Sequence, residues 1–133
     1  MRRSDWREAL TAYLVGTAAE PFVPGKADCA LFAAGAVKAM TGQDFAHGFL
    51  GYRTTKGGLK KLMAKGYADH VALAASVLEE IPPAFAQVGD VAVVPGDDGT
   101  DALGIVQGEM IYVSAPAGRG LVPLTSATRA FRV

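Results

Sequence analysis

The sequence predicts an α+β fold, with helices first, a small antiparallel sheet after them, and one apolar helix at the centre. Three observations carry this. Apolar residues recur at helical spacing in four segments before Pro82 and then, past Gly89, fall into short runs of strand length divided by turn residues. The two kinds of element do not alternate, which argues against a parallel sheet wound by crossover helices. Between Cys29 and Met40 almost the whole circumference is apolar, with Lys38 the only charge, the pattern of a helix enclosed by its neighbours.

In chain order, Ser4 is a candidate N-cap, and Trp6, Leu10, Tyr13 and Leu14 form the apolar face of a first helix that ends near Gly16. Pro21 and Pro24 then forbid regular helix around Phe22 and Val23, holding the chain extended until Gly25 turns it. This delivers Asp28 as the cap of the central helix. Its alanines and Gly35 permit close approach by neighbours, and Thr41-Gly42 is a stop signal.

A glycine- and aromatic-rich connection runs from Gln43 to Arg53. After it, Thr54 or Thr55 caps a helix with Leu59, Leu62 and Met63 inward and Lys56, Lys60, Lys61 and Lys65 outward, ended by Gly66. The lysines read as a solvated face. Asp69 caps a fourth helix, whose buried set is Val71, Leu73, Ala74, Val77, Leu78 and Ile81 and whose stop is Pro82-Pro83. Strands are expected at Asp90–Val94, Ala102–Val106, Met110–Ser114, Gly120–Leu124 and Arg129–Val133, with a turn over Pro95–Thr100 and a tight hairpin at Gln107-Gly108-Glu109.

With 133 residues and 50% hydrophobic content, the chain fits one compact domain spanning 1–133. Thirteen basic and thirteen acidic residues cancel, so no global field draws it to nucleic acid or to an anionic membrane. The N-terminal MRRSDW runs into Arg7 and Glu8 and so builds no signal-peptide core, and no apolar run reaches the roughly 18 residues of a spanning helix. A soluble protein without a membrane span is the expectation.

Cys29 is the one cysteine, which excludes an intrachain disulfide and a multi-thiolate zinc site. Its place at a helix start, where amides are unpaired and the dipole is positive, favours a thiolate and is how a cysteine nucleophile is housed; a small apolar residue on a buried face would look the same. His47 and His70 have neither an i, i+4 partner nor a nearby cysteine, so no metal site is expected. Asp90, Asp97, Asp98 and Asp101 flank the first hairpin without the spacing of a calcium loop. No phosphate-binding loop and no G-x-S-x-G elbow is present, so NTPase and serine-hydrolase readings fall away and no cofactor is expected.

The helix-initial ADCALFAAGAV, the GDVAVV segment and the following ALGIVQGEMIYVSAPAGRGLVPL resemble the NlpC-type cell-wall cysteine peptidases, a papain-like superfamily, over most of the chain from Phe22 onward. The resemblance implies a papain-like fold with Cys29 at the nucleophile position. In that family the base is a histidine opening a His-Val-Gly-Ile strand; here Ala102-Leu103-Gly104-Ile105 falls on that motif, and Ala102 stands where the base belongs. Tyr112 or Ser114 lies near the expected third, orienting residue. Without an adjacent imidazole there is no acid to protonate a leaving amine, so His47 and His70 are the only substitute bases the chain offers.

F-x-P-G-K-A-D-C, T-G-Q-D, G-Y-R-T-T and the closing R-A-F-R-V are similar to a small phage and prophage branch of the superfamily whose members are encoded among tail-tip genes. This implies a structural protein with a degenerate site in a tail tip, whether baseplate hub or tail assembly. Its partners would be other virion proteins, and its location the virion or the host cytoplasm before assembly. The alternative is an active peptidase or amidase that cleaves peptidoglycan stem peptides during infection. A small-molecule or peptide binding module using the same groove is a third reading. Phe45, Phe49 and Tyr52 either offer a partner surface or fold back on the core.

Overall fold

In the computed structural model, which describes residues 2–49, 51–96 and 99–133, four helices precede a six-stranded sheet. The helices are α1 (Trp6–Thr17), α2 (Cys29–Thr41), α3 (Thr55–Ala64) and α4 (His70–Val77). The strands are β1 (Glu79–Ile81), β2 (Val91–Pro95), β3 (Asp101–Val106), β4 (Met110–Ala115), β5 (Gly118–Pro123) and β6 (Arg129–Arg132), with 3-10 turns at Pro83–Phe85 and Leu124–Ser126. The sheet runs β1-β6-β2-β3-β4-β5, and every pair is antiparallel.

Successive strand residues face opposite sides, and this alternation sorts the core into two layers. Val91, Val93, Leu103, Ile105 and Phe131 meet Phe32, Ala33, Ala36, Val37 and Met40 of α2, with Leu10 of α1 behind them. On the other face Ala92, Val94, Val106 and Ile111 are covered by Ala86, Leu124 and Ala127 in and beside the 3-10 turns. Met40 and Phe131 are wholly buried, each worth about 2–3 kcal/mol against exposure. The expected packing of the sheet on the Cys29 helix is therefore present.

The predicted caps hold. Asp28 accepts from Leu31 N at 2.9 Å, Thr54 from Gly57 N at 3.0 Å and Asp69 from Ala72 N at 2.8 Å. Gly42 ends α2 in the left-handed conformation, φ 81°. The cap of α1 differs: Asp5, not Ser4, takes the position, and its side chain makes no capping bond. Its carboxylate instead pairs with Arg3, and Arg3 N donates to Met40 O, so the start of α1 is fixed to the end of α2.

Four further expectations are corrected. Helix α4 stops at Val77, because Leu78 turns extended (φ −123°, ψ 152°). Glu79–Ile81 is then free to pair with β6, so Ile81 is buried as a strand residue. Of the three residues expected inward on α3 only Leu62 is buried; Met63 is 62% and Leu59 40% exposed. Asp90 precedes its strand rather than opening it, and Gly118 opens β5 two residues early. Of the expected turn at 95–100, Asp97 and Asp98 lie outside the described residues, while Gly96 N donates to Thr100 O across its base at 2.7 Å.

The aromatic connection folds back. Phe45 packs against the α2 layer, Phe49 lies 6.4 Å from the Tyr67 ring, and Tyr52 reaches Asp28. No helix among the described residues is long and apolar enough to cross a membrane.

Candidate functional site

The junction at the start of α2 is built by proline, glycine and aspartate in turn. Gly25 adopts φ 78°, and a Cβ there would collide with the Tyr52 backbone, so only glycine fits. Its N–H donates to Asp28 Oδ2 at 3.0 Å. The other Asp28 oxygen caps the helix, and the Tyr52 hydroxyl donates to Oδ2 as well. Asp28 is 6% exposed and its carboxylate is held by three donors. That is how a buried carboxylate is made tolerable.

Burial, and then the hydrogen bond to Asp28 and its charge, push the Tyr52 phenol far above the ordinary tyrosine range, with a smaller push from Cys29. Cys29 thus sits in electrostatic reach of the Tyr52–Asp28 pair. It is half-buried and shares the helical stripe of Ala33, Ala36 and Met40, which faces the core.

Beside this junction a cavity of about 480 Å³ opens between α2, α3, α4 and β3. Its polar rim includes Asp28, Tyr52, Asp69, His70 and Asp101. His70 Nε2 lies 2.7 Å from the Asp101 carbonyl oxygen. A carbonyl can only accept, so Nε2 carries a proton and Nδ1 is the acceptor of the neutral ring. The structure therefore brings His70, one of the two substitute bases, to the same cavity as Asp28 and next to Ala102. His47 is exposed in the connection after α2 and does not line the cavity, and neither does Cys29.

Ala102 itself is turned away. In the β2–β3 ladder Val91 opposes Ile105 and Val93 opposes Leu103, all on the α2 face, whereas Ala102 opposes Val94 and packs in the far layer. A side chain at 102 points away from Cys29's helix, and Leu103 and Ile105 are the residues of that motif that face it. Tyr112, by contrast, packs on the α2 side, and Ser114 shares a small cavity of about 50 Å³ with Asp28, Phe32 and Arg119.

Arg119 and Tyr52 escaped the sequence reading as site residues. Arg119 donates to Leu14 O and Thr17 Oγ1, both at 2.7 Å, and lays its guanidinium 4.5 Å from the Phe32 ring centre. It fastens the edge strand β5 to α1 beside the junction. Nothing local in the sequence marks that contact across about a hundred residues, whereas Tyr52 stands in the G-Y-R-T-T segment as the one aromatic there. Tyr13 donates to Phe32 O at 2.9 Å, and burial raises its phenol to about 12.

Among the described residues no group of three His, Cys, Asp or Glu side chains is placed to hold a metal ion. What the arrangement offers is a fixed carboxylate–phenol pair, a thiol at a helix start and an oriented imidazole across an apolar cavity. The model of one family, a domain of unknown function (DUF6950), matches residues 1–133. No curated protein matches the chain.

Proposed function

This chain belongs to the DUF6950 family of domains of unknown function, and on that premise we propose that it is a degenerate, papain-like NlpC-type domain serving as a structural part of a phage or prophage tail tip. Its partners in this reading are other virion proteins, and it reaches the virion from the host cytoplasm. The supporting observation is the state of the base position. Residue 102 is alanine and its side chain lies on the sheet face away from α2, so neither chemistry nor direction favours a base there. The capping and burial of Asp28 preserve the shape of the junction without needing a reaction.

The second reading, a working peptidase or amidase on peptidoglycan stem peptides, is favoured by one observation: His70, fixed by the Asp101 carbonyl, stands at the cavity that Asp28 also lines. In that scheme the Cys29 sulfur attacks the scissile carbonyl, amides at the start of α2 receive the oxyanion, the C–N bond breaks as His70 passes the thiol proton to the leaving amine, and water then hydrolyses the thioester.

Peptidoglycan digestion separates the two. Purified protein incubated with sacculi should release no muropeptides, and wild type, Cys29→Ala and His70→Ala should be indistinguishable. Release that disappears in both variants would establish the peptidase and overturn the structural role. Incorporation of the Cys29→Ala chain into tail particles at the wild-type level is the matching positive result.

A further inference from the structure

We propose that the cavity between α2, α3, α4 and β3 is a binding site for a small organic cation, an ammonium head on an apolar stem. Its volume of about 480 Å³ lies within the roughly 300–1,000 Å³ of small-molecule sites. That exceeds what a single side chain of a partner would fill. The walls are predominantly apolar, led by Leu31, Ala34, Val37, Phe45, Leu73 and Leu103. Leu59 and Val77, both exposed, continue this surface to the mouth. Such walls favour a hydrocarbon stem over water.

The polar groups decide the head. The Tyr52 proton is spent on Asp28, and the Asp28 oxygens are occupied by three donors. The Nε2 proton of His70 is spent on the Asp101 carbonyl. Asp69 uses one oxygen on Ala72 N, and the Asp101 carboxylate stands exposed at the rim. The His70 end of the cavity is thus rich in acceptors whose donors are already committed.

Charge points the same way. Around Arg129 stand Glu80, Asp69 and Asp101, and its guanidinium is forked on Glu80 at 2.8 and 3.0 Å. One cation against three carboxylates leaves this end negative. The lysines of α3 do not line the cavity, and Lys65, just past its end, lies 5.4 Å from the Phe49 ring centre. The assignment is independent of whether Cys29 is reactive.

The test is calorimetric titration of the intact protein with octylammonium chloride, octanol, octanoate and Nα-acetyl-lysine methylamide at low salt. Octylammonium should bind about tenfold tighter than octanol, the scale expected of a partly screened charge at this range, and its advantage should shrink as salt is added. Asp101→Asn should remove much of that advantage, and Ala34→Phe should block binding. Should Ala34→Phe fail to fold, methyl shifts of Leu31, Leu73 and Leu103 in the wild type on adding octylammonium locate the site directly. Equal or tighter binding of octanol or octanoate, no binding at millimolar ligand, or shifts elsewhere would overturn the proposal. Equally tight binding of the lysine derivative would replace the small cation with a partner's side chain.

Discussion

Asp28 and Tyr52 define the junction and His70 the cavity beside it, and each makes a contact that sequence spacing does not reveal. Asp28 was legible as a cap because the Pro/Gly turn and the apolar run meet there. Its bond to Tyr52 was not, since the two are twenty-four positions apart, with all of α2 and a connection without regular structure between them. The destination of His70 was equally hidden: its bond is to a carbonyl on a strand whose placement depends on the whole sheet. Facing direction at residue 102 follows the same logic, because a strand's parity is fixed by what packs on it. Ala102→His should accordingly leave the pH profile of Cys29 alkylation unchanged, measured with iodoacetamide. A shift of the profile to lower pH would mean that position 102 does face the thiol.

The phenols give a pH signature. Tyr52 and Tyr13 both have raised values in the folded protein, from burial first and, for Tyr52, from Asp28 next. A group with a raised folded value contributes stability that is fully present below its unfolded value, 10.0 for each phenol, and is lost as pH rises through the folded value. Urea midpoints should therefore begin to fall near pH 10.0 and go on falling as pH rises through about 12. The fall should be shallower in the Tyr13→Phe, Tyr52→Phe double variant; an equal fall would locate the effect elsewhere.

At the scale of elements, close packing between neighbouring strands is set by small residues. A Cβ on Gly104 would meet Ile111 Cγ2 at 2.5 Å and Tyr112 O at 2.6 Å, so Gly104→Ala should cost about 2–3 kcal/mol by overpacking, read as a lowered urea midpoint with unchanged slope. The four helices and five of the six strands were legible, because cap chemistry and a change of period are local signals. The missing strand β1 was not: Glu79-Glu80-Ile81 carries one apolar residue, and Ile81 continues the helical spacing of α4. Only its partner, β6 at the far end of the chain, makes it a strand. Met63 misled for the complementary reason, since its spacing is helical and inward but α3 meets the body of the molecule chiefly through Leu62.

Across the whole molecule, one charged cluster ties the two ends together. Arg2 donates to Asp90 Oδ1 and Val88 O at 2.8 Å and to Val133 O at 3.0 Å, and it lies over the Trp6 ring. Asp90 in turn accepts from Gln87 N and Val133 N. Because the Asp90 side chain is 4% exposed, removing its partner strands a buried charge, and Arg2→Ala should cost about 3 kcal/mol. Adding Asp90→Asn should recover part of that loss in a double-mutant cycle; purely additive losses would show that the pair is uncoupled.

The strand order places β6, the last to be made, between β1 and β2. During synthesis the β2 edge is therefore bare and β1 has nothing to pair with until Arg129–Arg132 emerge. Helices α1 and α2 can meet while translation continues. The sheet gains its β6 pairings only once Arg129–Arg132 are available, so a nascent chain stalled short of β6 would expose a row of unpaired amides along β2.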